Sequence, residues 1–108
     1  MTAVPWLVLI CAGLLEIVWA TALKQSDGFT RLWPSVIGIG GAVLSFVLLA
    51  TALRYLPAGT GYAVWVGIGA VGVAIAGIIA FDETLSAARL LFLSIIVVGI
   101  VGLRVVEG

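Results

Sequence analysis

The chain has 108 residues, 64% of them hydrophobic and 9% charged, with a mean hydropathy of +1.37. A soluble domain needs roughly a quarter of its residues charged to cover its surface, which excludes a water-soluble enzyme. Five basic and five acidic residues balance to zero without any basic cluster, which leaves no footprint for nucleic acid.

The charges punctuate the chain, and four apolar stretches lie between them. Crossing about 30 Å of hydrocarbon takes about 20 helical residues at about 1.5 Å each. The first stretch, Val4–Leu23, holds a single acid, Glu16, and nothing in the run can pair with it. Ser26-Asp27-Gly28 reads as the turn that closes this helix. The second stretch, Leu32–Leu53, has Pro34 near its start, where the missing N–H is harmless. Tyr55-Leu56-Pro57-Ala58-Gly59 gives a tight hairpin into the third, Ala58–Phe81. Asp82-Glu83-Thr84 ends that helix, and Ser86 is placed to cap the fourth. This last span runs over Ala87–Leu103 and reaches residue 106 if Val105 and Val106 lie at the interface and Arg104 snorkels. Sustained period-two alternation is absent, so a β-barrel is a poor alternative. Met1–Ala22 does not read as a signal peptide: it lacks a basic start, carries Glu16 and is followed by three more apolar stretches. The expected fold class is all-α, a four-transmembrane-helix membrane protein forming one integral membrane domain over residues 1–108.

Four crossings place the N-terminus, Arg54 and Arg104 on one side of the bilayer and Lys24, Arg31 and Arg89 on the other. Two basic side chains against three is close to a tie, whereas a fixed orientation usually shows a clear cytoplasmic excess. The tie fits a chain that inserts both ways and assembles as an antiparallel dual-topology dimer, each subunit acting as one inverted repeat. Four helices with short loops enclose little beyond their own packing, so a path for a solute is expected between subunits. In the fourth span Ser94, Gly99 and Gly102 permit close helix approach, at an interface or in general packing.

An acid inside a membrane span is costly and marks a functional site by default. On the first helix Gly13, Glu16 and Trp19 stand three apart on one face, flanked by Ala12 and Ala20. Small neighbours leave room for a ligand or for another helix; Trp19 is either a pocket wall or an interfacial anchor. The second helix presents Gly38, Gly41, Ala42 and Ser45. The Ser45 hydroxyl can hold the carboxylate or simply bond its own i−4 carbonyl. The third carries Tyr62 and Trp65, as pocket lining or interfacial anchors, then Gly67, Gly69, Gly72 and Gly77. Gly67 and Gly69 are candidate hinge positions, with close packing as the alternative. Cys11 stands alone and there is no histidine, so no metal or other cofactor is expected. An acid, hydroxyls and aromatic faces without a buried cation suit a cationic ligand. Hydrocarbon disfavours the charged form of a carboxyl, and two facing carboxyls titrate as a coupled pair. Such a site can exchange a proton for a cation without nucleotide, and no P-loop is present.

At these residues the chain resembles the small multidrug resistance family of bacterial inner-membrane transporters, over nearly its full length. The matching features are Ala12-Gly13-Leu14-Leu15-Glu16, Leu23-Lys24, Gly28-Phe29-Thr30-Arg31-Leu32-Trp33-Pro34-Ser35, and Leu56-Pro57-Ala58-Gly59-Thr60-Gly61-Tyr62-Ala63-Val64-Trp65 followed by Gly67-Ile68-Gly69. The resemblance implies four helices, antiparallel homodimers in the inner membrane, and proton-coupled cation export through the one glutamate of the first span. Glu16-Ile17-Val18-Trp19-Ala20, Ser45, the Asp82-Glu83-Thr84-Leu85 loop and Arg104 resemble the guanidinium-exporting branch. That loop departs from the branch, which more often has lysine and proline where Asp82 and Thr84 stand. The implied ligands are guanidinium and related guanidinyl cations, with protons, both at Glu16. Gly13, Trp19, Ser45, Tyr62 and Trp65 are then implied as pocket and hydrogen-bond network. The alternative is the branch that exports quaternary ammonium and other hydrophobic cations, for which Phe29–Ser35 is equally typical.

Overall fold

The computed structural model describes residues 3–107; Met1, Thr2 and Gly108 of the expected domain lie outside the described residues. Four α-helices follow one another: α1 (Ala3–Gln25), α2 (Leu32–Ala52), α3 (Ala58–Ala80) and α4 (Ala87–Glu107). Each is long and apolar enough to cross a membrane. α1 continues two residues past the apolar run to take in Lys24 in its last turn, where a cation complements the helix dipole. α4 likewise runs through Arg104 to Glu107.

The helix ends have local causes. Ser26 is buried at the end of α1; its Oγ donates to the Leu23 carbonyl at 2.6 Å and accepts the Phe29 N–H at 3.1 Å. Asp27, Gly28 and Phe29 then all adopt left-handed backbone, with φ of 51°, 72° and 67°. Glycine does so freely, whereas the Phe29 side chain adds about 1–2 kcal/mol of strain. The turn is closed by the Thr30 and Arg31 N–H groups, both on the Ser26 carbonyl at 2.9 and 3.1 Å. Pro34 is the third residue of α2, among the four whose N–H groups have no intrahelical partner. Ser86 caps α4 by accepting the Arg89 N–H at 3.1 Å.

In space the helices lie in the order α2, α1, α3, α4. α1 packs on both α2 and α3, which also touch each other, and the backbone of α4 comes close to α3 only, with Arg104 reaching Trp6 of α1. The molecule measures 42 × 34 × 17 Å. The array is thus much broader than it is deep. The core gathers Trp6, Leu9 and Ala12 of α1, Leu49 and Ala52 of α2, and Val64 and Trp65 of α3. It fills the half of the bundle that holds the start of α1. α4 buries no residue; its inner seam puts Ile100 into the space left by Gly67, and open space surrounds Gly99 and Gly102. Its ends are fastened by polar contacts. At the start, Arg89 donates to the Thr84 carbonyl at 2.9 Å and to Glu83 Oε1 at 3.0 Å. At the far end Thr60 Oγ1 donates to Glu107 Oε1 at 2.9 Å, and the Arg104 guanidinium lies 5.0 Å from the centre of the Trp6 ring.

Candidate functional site

Glu16 sits thirteen residues into α1, about 20 Å along the helix axis, just past the packed core. Its side chain is half-buried, and Oε1 is shut off from solvent without any hydrogen-bond partner. The carboxylate rests directly on α3 at Gly69, where a β-carbon would collide with it. One turn further on, Trp19 carries the second orphan polar atom: Nε1 is buried and also unpartnered. A buried acceptor and a buried donor left unpaired cost about 1–3 kcal/mol each, so the site is poised to gain from a ligand that satisfies them.

Ser45 of α2 is fully buried, but it bonds neither the carboxylate nor its own i−4 carbonyl. Its Oγ donates to the Ala12 carbonyl of α1 at 2.7 Å and accepts the Trp65 Nε1–H of α3 at 3.0 Å. The Ala12 carbonyl is also the acceptor that the Glu16 N–H uses within α1, since helical bonds run from residue i to i−4. A relay thus runs from Trp65 through Ser45 to the turn of α1 that carries the acid, joining three helices at one level.

Aromatic rings line the same level. Trp19 meets Phe46 edge-on at 6.1 Å, Phe46 meets Trp65 at 5.6 Å, and Tyr62 lies tilted against Trp65 at 5.5 Å. Tyr62 is 57% exposed on this chain, whereas Trp65 is 6% exposed. Gly13 takes no part in the ring system: the Ile68 side chain occupies its free volume, so it serves the α1–α3 approach. α3 runs unbroken through Gly67 and Gly69, which admit Ile100 and the Glu16 carboxylate respectively. Phe46, which joins Trp19 to Trp65, drew no attention in the sequence; its only signal was to follow Ser45. On the Lys24 side a cavity of about 480 Å³ opens, lined in part by Ile17, Val18, Thr21, Ala76 and Phe81. Glu16 makes no ion pair among the described residues; those present, Lys24 and Arg89 with Glu83, sit at one end of the bundle.

The arrangement offers one acid and aromatic faces with no paired cation among the described residues, and Tyr62 is exposed at its edge. It can hold a proton or a small cation that donates hydrogen bonds.

Comparison with known proteins gives a consistent picture. The family described as Small Multidrug Resistance protein matches over residues 4–96. Proteins named guanidinium exporter, from Citrobacter freundii and Salmonella typhimurium, are each 58% identical over 99 residues, covering 92% of this chain and 94% of theirs. One from Proteus vulgaris is 57% identical, covering 92% of this chain and 95% of its own. A four-helix membrane fold built around one intramembrane acid, matched over nearly its whole length, places the chain in the small multidrug resistance family.

Proposed function

We propose that this chain exports guanidinium and related small guanidinyl cations across the bacterial inner membrane in exchange for protons, both bound at Glu16. The observation that carries the reading is the Glu16 Oε1 atom, buried without a partner in a span that offers it no cation. A planar guanidinium donates two parallel N–H bonds to one carboxylate, a geometry a spherical or tetrahedral cation cannot reproduce. Trp19, Tyr62 and Trp65 supply ring faces beside it, and the Ser45 relay holds the acid-bearing turn of α1 in place. Relatives 58% identical carry the name guanidinium exporter, which favours this ligand over quaternary ammonium compounds. Because a proton and a cation exclude one another at one carboxylate, occupancy alone couples their opposite movements.

The working unit is an antiparallel homodimer. A layer 17 Å thick with a half-buried Glu16 and an exposed Tyr62 leaves its cation site open on one side. A second copy closes that side, and the near-tie of basic residues between the two ends lets copies insert in either orientation.

Flux in proteoliposomes containing only this protein tests the proposal, with a proton gradient and either guanidinium or tetraethylammonium outside. Guanidinium-dependent proton movement, lost in Glu16→Gln protein that remains folded, is the expected result. Preference for tetraethylammonium would move the chain to the drug-exporting branch, and exchange that survives Glu16→Gln would remove the acid from the mechanism.

A further inference from the structure

The contact between Glu16 and Gly69 differs in kind from every other close approach along the α1–α3 seam. α3 is an unbroken helix, so the Gly69 N–H and C=O are engaged in the helix's own ladder. Gly69 therefore gives the carboxylate no donor and supplies only volume. A β-carbon there would stand 2.5 Å from Oε1, and closer still to Oε2 and Cδ. The neighbouring glycines are filled by hydrocarbon, Gly13 by Ile68 and Gly72 by Ile17, and a rotamer change can relieve crowding there. At Gly69 the space belongs to the reacting group itself.

We propose that Gly69 is a positioning residue: its missing side chain is a seat that holds the Glu16 carboxylate against α3, and any substituent there turns the carboxylate out toward the open side of the layer. This rests on the reading of Glu16 as the shared proton and cation site. The seat decides which edge of the carboxylate meets the cation and how dry that edge is when a proton arrives. No neighbouring charge does so in its place. α2 has no titratable side chain, α3 has Tyr62 alone, and α1 adds Cys11 and, eight residues on, Lys24. α4 brings one charge to α1, Arg104, and it lies over Trp6, ten residues before Glu16.

The test uses the full chain in lipid nanodiscs, labelled with ¹³C at glutamate carboxyl carbons. Glu16→Gln identifies the Glu16 signal among those of Glu83 and Glu107. Titration curves and guanidinium binding at two pH values one unit apart are compared for the parent, Gly69→Ala and Gly72→Ala. Gly69→Ala is expected to displace the Glu16 curve and to change the ratio of the two affinities by about threefold or more. Gly72→Ala crowds the same helix pair through Ile17 and should leave that ratio within about 1.5-fold of the parent. An unchanged curve in Gly69→Ala, or an equal displacement in Gly72→Ala, overturns the proposal. Should Gly69→Ala fail to fold, the double variant Glu16→Asp, Gly69→Ala decides, because aspartate withdraws the carboxylate by one methylene. Recovery of folded protein supports the seat, and no recovery overturns it. The carboxyl titration needs no substrate. Absence of guanidinium binding at every pH in the parent would thus refute the proposed function, and the seat would still be judged on the titration curves.

Discussion

Replacing Ser45 by alanine removes the hydroxyl at which α1, α2 and α3 meet. Two hydrogen bonds disappear, at 2.7 Å to the Ala12 carbonyl and at 3.0 Å from Trp65 Nε1. Their consequences are unequal. The Ala12 carbonyl keeps the helical bond from the Glu16 N–H, so only an interhelical bond is lost, worth about 0.6 kcal/mol inside a membrane. Trp65 Nε1 loses its acceptor in a residue only 6% exposed, and a buried donor left unpaired costs about 1–3 kcal/mol. The expected destabilisation is about 1.6–3.6 kcal/mol. Trp65→Phe deletes the donor instead and leaves Ser45 bonded to Ala12, so no polar atom is orphaned. In the double variant the serine change no longer strands anything, and the two effects should fall short of their sum by that stranding cost, about 1–3 kcal/mol. Reversible unfolding of all four proteins in mixed lipid–SDS micelles, followed by far-ultraviolet circular dichroism, measures this cycle. Additivity within about 0.5 kcal/mol, or a Ser45→Ala protein as stable as the parent, would refute the relay.

Two further changes probe the orphan donor and the loop clasp. Trp19→Phe deletes a buried N–H that has no partner while keeping the edge contact to Phe46, so stability should change by less than about 1 kcal/mol. Discrimination between guanidinium and tetraethylammonium in proteoliposome flux should fall; unaltered discrimination would remove the indole N–H from ligand selection. Arg89→Ala releases the Glu83 carboxylate, which is folded over Gly77 at the C-terminal end of α3, where the helix dipole repels an anion. Both partners are about a third exposed, so solvent screening limits the loss to about 0.5–1 kcal/mol, shrinking as salt is raised. Thermal unfolding at low and high salt reads this out, and a salt-independent loss would assign the role of Arg89 to its bond with the Thr84 carbonyl.

The spans and the acid were legible because hydropathy and a lone carboxylate are properties of a run, visible without knowing its neighbours. The order of the helices in space was not. Helices that are apolar all round carry no stripe to show which neighbour they face, and nothing in the periodicity marks α1 as the central one. Ser45 illustrates the same limit at one residue: a serine in a membrane helix reads alike whether it bonds its own backbone or, as here, the Ala12 carbonyl of another helix. The glycines of α3 announced close approach, but only coordinates show that Gly69 faces a carboxylate and Gly67 an isoleucine. The Ser26-Asp27-Gly28 turn followed from residue type, while its extension to a left-handed Phe29 runs against phenylalanine's own preference. Phe46 escaped notice because an aromatic residue in an apolar span carries no marker of the rings it will touch.

The packing of α4 has a consequence for how the protein is made. All seven residues of the core belong to α1, α2 and α3, and α4 contributes none. A chain synthesised from its N-terminus has therefore polymerised every residue of that core once Ala80 is added. At about 5–20 residues per second, Glu107 follows about 1–5 s later. The fourth span then docks on that core through Ile100 and Leu103 and closes polar clasps at its two ends, adding no buried residue of its own.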